Sequence, residues 1–123
     1  MTAVACLFMS NATAHEMVPA YPELSQSYID GIFKTDIMLF NRRNDVSYYE
    51  IQVFDNDWNG VAFASESKIV RLDYLERKNI EVYIRKKDKD KVTYICTQSK
   101  LIKSAETSSK ISSKICSKIK RDE

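Results

Sequence analysis

Short apolar segments of period two recur every ten to fifteen residues along this chain, each closed by turn-forming polar sequence. Side chains on an extended strand alternate between two faces, so such a pattern suits strands and leaves no continuous stripe for a helix. In Asp36 to Asn41, Ile37 and Leu39 share one face and Met38 and Phe40 the other, which predicts a central strand; the polar turn Asn41-Arg42-Arg43-Asn44-Asp45 follows. Tyr49, Ile51 and Val53 alternate with Glu50 and Gln52 in a half-buried strand. It stops at Asp55-Asn56-Asp57-Trp58-Asn59-Gly60, where Asn-Gly predicts a tight hairpin turn at positive φ. Further strands are expected at Ile69 to Leu72, at Ile80-Val82-Ile84 and, after the solvated run Lys86 to Lys91, at Val92 to Thr97. Ile and Val together number twenty against six Leu, the branched excess that a pleated surface favours. In 123 residues this predicts one all-β domain, a β-sandwich rather than alternating βα units.

Charge and hydropathy exclude other classes. Nineteen basic against seventeen acidic residues leave a net charge of +2, so no nucleic-acid partner is expected, and no apolar run is long enough for a membrane-spanning helix. Residues 1–14 are small, apolar and uncharged and end in Ala12-Thr13-Ala14 before polar His15-Glu16. They read as a partial signal peptide cleaved after Ala14, with a buried first strand and a lipid attachment at Cys6 as the alternatives. The domain is then residues 15–123, periplasmic or otherwise secreted.

Beyond Lys100 the composition turns to Ser and Lys, and three readings stay open: a disordered polar tail, an amphipathic helix aligning Ile111, Ile115 and Ile119, or a last strand. A strand would place Ile111, Ser113, Ile115, Ser117 and Ile119 on one face and Lys110, Lys114, Cys116, Lys118 and Lys120 on the other.

No catalytic residues are proposed and no enzyme is expected. His15 is the only histidine, the two glycines Gly31 and Gly60 cannot build a phosphate loop, and Asp55, Asp57, Asp88 and Asp90 read as solvated loop residues. No Cys/His spacing offers a metal site, and neither cofactor nor small-molecule substrate is expected. Trp58, Tyr48 and Tyr49 read as packing aromatics and Arg42-Arg43 as a turn pair.

The order of features resembles the N-terminal immunoglobulin-like domain of PapD-type periplasmic pilus chaperones. The resemblance runs through Ile37-Met38-Leu39-Phe40-Asn41, Tyr49-Glu50-Ile51-Gln52-Val53, Ser67-Lys68-Ile69-Val70-Arg71-Leu72, Ile80-Glu81-Val82-Tyr83-Ile84-Arg85 and Tyr94. It ends in Ser113-Lys114-Ile115-Cys116-Ser117-Lys118-Ile119-Lys120, which looks like the family's final strand. It implies an immunoglobulin-like sandwich without the family's second domain, and a chaperone that binds pilin-type subunits during pilus or fimbria assembly. The donor strand would be Ile111, Ser113, Ile115, Ser117 and Ile119, with Lys120 anchoring the subunit's terminal carboxylate. The Arg that completes the family's clamp has no counterpart in Met17 to Leu24. Cys96 and Cys116 fall in the last two strand-like segments, and in a secreted chain they are expected to form a disulfide across adjacent antiparallel strands. Two other roles stay open: a structural subunit of a pilus or conjugative apparatus, exposing a missing-strand groove, and a surface-binding module that uses its basic tail.

Overall fold

The alternation from Ile37 to Phe40 belongs to β3 (Ile32–Phe40), and each later alternation likewise becomes a strand in a computed structural model that describes residues 15–100 and 113–121. The others are β1 (Glu16–Val18), β2 (Ser25–Gln26), β4 (Tyr48–Phe54), β5 (Ile69–Arg71), β6 (Arg77–Arg85), β7 (Tyr94–Lys100) and β8 (Lys114–Lys118). They form two antiparallel sheets, with no α-helix among the described residues. In the first, β1 and β2 pair with successive stretches of β3, and β6 pairs with β3 from Ile32↔Arg85 to Phe40↔Arg77. The second runs β5-β4-β7-β8. β3 is thus a central strand, as its two apolar faces require.

Ile37, Leu39, Ile80, Val82 and Ile84 of the first sheet meet Tyr49, Ile51, Val53, Val70, Ile95 and Ile119 of the second in one buried cluster. The arrangement is that of a β-sandwich, each strand sending alternate side chains inward. Burying a side chain of this size contributes about 1.5 to 3 kcal/mol relative to leaving it exposed.

β1 pairs with β3 in the first sheet, yet the carbonyls of Ala20 and Pro22 accept hydrogen bonds from the Lys118 and Lys120 amides beside the second (3.0 and 2.8 Å). The chain crosses between the sheets at Val18-Pro19 and ties them at one flank.

Two expectations need correction. Asn59-Gly60 does not open a two-stranded hairpin, since only the single bridge Phe54↔Gly60 follows, and the positive φ (66°) falls on Trp58. The cause is Asp55, whose carboxylate accepts the backbone amides of Asp57 and Asn59 (2.9 Å each) and closes the turn around Trp58. Asp88 is not solvated either. It lies buried in a 3-10 turn at Lys86–Asp88, paired with Arg85 (2.8 Å) and Lys91 (3.4 Å), and the Arg85 hydrogen bond holds its pKa below the usual carboxylate value.

Candidate protein-binding edge

The described part of the Ser/Lys tail, from Ser113 to Arg121, contains β8, paired with β7 from Tyr94↔Lys118 to Gln98↔Lys114. The Ser99 amide donates to the Ser113 carbonyl and the Ile119 amide to the Thr93 carbonyl. Odd-numbered residues of β8 therefore bond to β7, and the amide groups of Lys114, Cys116 and Lys118 point away from it. Lys118 donates to Ala20, whereas the N–H and C=O of Lys114 and Cys116 have no backbone partner among the described residues. Among the described residues, the edge of the second sheet is closed at one end of β8 and open at the other.

Ser113, Ile115, Ser117 and Ile119 share the inward face. Ile119 and Ser117 are buried, Ile115 is half-buried against the core, and the Ser117 hydroxyl donates to the Pro19 carbonyl (2.9 Å). Ile111 lies outside the described residues. Lys120, exposed, pairs with Glu23 at 3.3 Å, so an arriving carboxylate would compete with that glutamate.

Cys96 and Cys116 are directly opposite one another and joined by a disulfide, with Cα atoms 4.0 Å apart. Because 95↔117 and 97↔115 are the hydrogen-bonded pairs of this ladder, 96↔116 is a non-hydrogen-bonded pair, the register in which facing side chains approach closest. The bond fastens β8 to β7 at its open end. Over the same outer face Trp58 stacks on Tyr94 (ring centroids 4.0 Å apart), Phe54 tilts against Trp58, and the Lys114 ammonium lies 4.7 Å from the Phe54 centroid. Trp58 thus packs on a sheet face while half-exposed, and Tyr49, by contrast, belongs to the core.

Behind the open end lies a polar network that sequence reasoning missed. His15, 2% exposed, shares a hydrogen bond with the Thr97 hydroxyl through Nε2 (2.9 Å) and meets the Ser113 hydroxyl at Nδ1 (3.3 Å). Burial, reinforced by the nearby Arg43 charge and opposed by the Thr97 hydrogen bond, pushes its pKa down to about 4, so the imidazole is neutral at physiological pH. Its ring packs on Tyr49, whose hydroxyl donates to Asn41 Oδ1 and is pushed up to about 12 by burial. The signal available in the sequence was the period of two that puts His15, just before β1, on the side of Met17 if the chain enters the strand extended, which makes His15 an inward residue. Arg43 pairs with Asp45 (2.8 Å) and Arg42 with Glu16 (2.6 Å), which gives both turn arginines acidic partners. Among the described residues no cluster of three or more His, Cys, Asp or Glu side chains could hold a metal ion, and no helix is long and apolar enough to cross a membrane.

In comparison with known proteins, no family model, no curated protein and no solved structure matches this chain.

Proposed function

We propose that this chain is a secreted, immunoglobulin-like chaperone domain that holds pilin-type subunits during assembly of a surface fibre, taking an extended segment of the subunit onto the open edge of β8. The observation that carries the reading is the pair of outward amide groups at Lys114 and Cys116, without a backbone partner among the described residues, on an edge strand that a disulfide fastens in place. Unpaired edge groups are a template for a further strand, and main-chain hydrogen bonds supply much of the affinity in such complexes. The isoleucine face is largely committed to the protein's own core. The strand therefore offers its backbone edge and lysines, with half-buried Ile115 the isoleucine of β8 left to meet a partner. A disulfide supports an oxidising compartment, in line with reading residues 1–14 as an export signal.

Lys114→Pro tests this directly. The Lys114 amide points away from β7, so proline there removes an outward donor and no internal ladder bond. With the full-length gene product expressed in the periplasm, the subunits that co-purify should fall by about tenfold or more for this variant. Against Lys114→Ala, which loses the same ammonium from above the Phe54 and Trp58 rings, the melting temperature and the disulfide should be unchanged. Equal capture by wild type and Lys114→Pro would refute pairing at this edge.

A further inference from the structure

The opposite flank of the sandwich carries a pair of unfinished edges, one from each sheet. The Lys86 amide donates to Gly31 and the Asn41 amide to Glu76, so even-numbered residues of the β6 strand bond to β3 and odd-numbered ones face away. Tyr83 is satisfied by a bridge to Ala64 (3.0 and 2.8 Å), and the Glu81 carbonyl accepts from the Ser65 hydroxyl. The N–H and C=O of Asn79 and the N–H of Glu81 have no partner among the described residues. Across from them, the bonds from Ile51 to Lys68 and from Leu72 to Ser47 turn the Ile69 and Arg71 amides away from β4. Among the described residues, one free edge from each sheet thus borders the same opening of about 860 Å³, with Val70 and Ile80 among its lining residues.

Lys78 decides what can enter. It stands opposite Leu39, which is wholly buried, so it occupies an inward-facing position on the edge strand. Arg71 is held by Asp73 and Glu81 by Lys34, while Lys78 and the rim residue Glu66 have no ion-pair partner among the described residues. An inward charge on an edge strand repels indiscriminate pairing, because a strand laid over it would bury an uncompensated cation. A strand that brings its own carboxylate escapes that cost, so the device selects as well as guards. From this we propose that the opening is a second strand-binding site, which accepts an extended polypeptide segment whose backbone pairs with Asn79 and Glu81 and whose acidic side chain meets Lys78. Ala64 and Ser65 already lie along this edge for one bridge, which shows that extended chain fits there.

The test is an NMR titration of the full-length protein with a short soluble peptide in which valine and threonine alternate around one glutamate, and with its lysine counterpart. The Asn79 and Glu81 amides should shift, with the glutamate peptide at least about fivefold tighter, the upper range for one facing opposite-charge pair. Lys78→Glu should reverse that preference and Lys114→Pro leave it intact, so failure here is separable from failure at β8. Asn79→Pro removes an outward amide and should weaken binding by about tenfold. Shifts at Lys114 and Cys116 instead, no shift at millimolar peptide, an unchanged preference in Lys78→Glu, or self-association through this edge would each overturn the proposal.

Discussion

Asn41 shows how much one side chain can hold. Wholly buried at the end of β3, it donates through Nδ2 to the carbonyls of Val46 and Leu72 (2.9 Å each) and accepts at Oδ1 from the Arg43 amide and the Tyr49 hydroxyl. Its own carbonyl receives the amide of Leu75, an exposed residue held at φ 66°. Asn41→Ala would leave the Tyr49 hydroxyl and two carbonyls without their partner, so a loss of about 3 kcal/mol is expected in urea unfolding. His15 gives a pH signature. Its folded pKa of about 4 lies below the unfolded value of 6.5, so the unfolded chain takes up the proton first as pH falls. The stabilisation is complete above about pH 7 and is lost between about 6.5 and 4, at no more than about 1.4 kcal/mol per pH unit. His15→Gln should flatten the stability profile between pH 6.5 and 5, a window above the titration of Asp55 and Asp88, whose pKa values are lowered. A profile that stays as steep in the variant would assign the slope to other groups. In the sequence Asn41 read as a turn residue and His15 as a neighbour of a cleavage point. Their partners were not legible: His15 bonds to Thr97 and Ser113, far along the chain, and Asn41 joins its own turn to Leu72, a contact that only the folded sheets create.

At the scale of elements, the longer strands β3, β4, β6 and β7 were legible, since alternation records which side meets the core, whereas three-residue β1 was too short to show it. Turns were less so. Asn59-Gly60 carries the strongest local hairpin preference, yet the Asp55 carboxylate and the stacking of Trp58 on Tyr94 decide the geometry. β8 was ambiguous for a related reason: serine between isoleucines weakens the apolar signal, while in the fold Ser117 is buried with its hydroxyl bonded to Pro19. The disulfide at its open end joins residues 20 apart in sequence. Closing a loop of that length restricts the unfolded chain by about 3 kcal/mol. The double variant Cys96→Ser, Cys116→Ser should therefore lower stability by roughly that amount in denaturant titrations. Since Lys114 and its aromatic neighbours remain, the Trp58 emission spectrum of the folded state should be unchanged. A shifted folded-state spectrum would mean that the bond also positions the outer aromatic face.

For the whole molecule, the sequence supports two layers but not how they are fastened, because the fastening is done by the irregular segment between β1 and β2. Residues 16–18 belong to the first sheet through β3, and residues 19–22 reach the second through the Lys118 and Lys120 amides and the Ser117 hydroxyl. Nothing in Pro19-Ala20-Tyr21-Pro22 announces such a role, since two prolines and two exposed residues read as a loop. The strap has a testable weight. A chain beginning at Glu23 loses two hydrogen bonds to β8 and one to Lys120 just beyond it, the buried side chains of His15 and Met17, and the pairing of β1 with β3. Leu39 and the inward face of β8 would then meet solvent at the same flank. In hydrogen exchange the Lys118 and Lys120 amides should be protected in the full chain and exchange freely in the shortened one. Protection at Val82 of β6 and Ile51 of β4, on strands that pair with neither β1 nor β8, should fall with them if the two sheets unfold as one unit. Should the interior amides keep their protection while only Lys118 and Lys120 lose theirs, the strap would be a local cover over β8, and the sheets would hold together through the isoleucine and valine core alone.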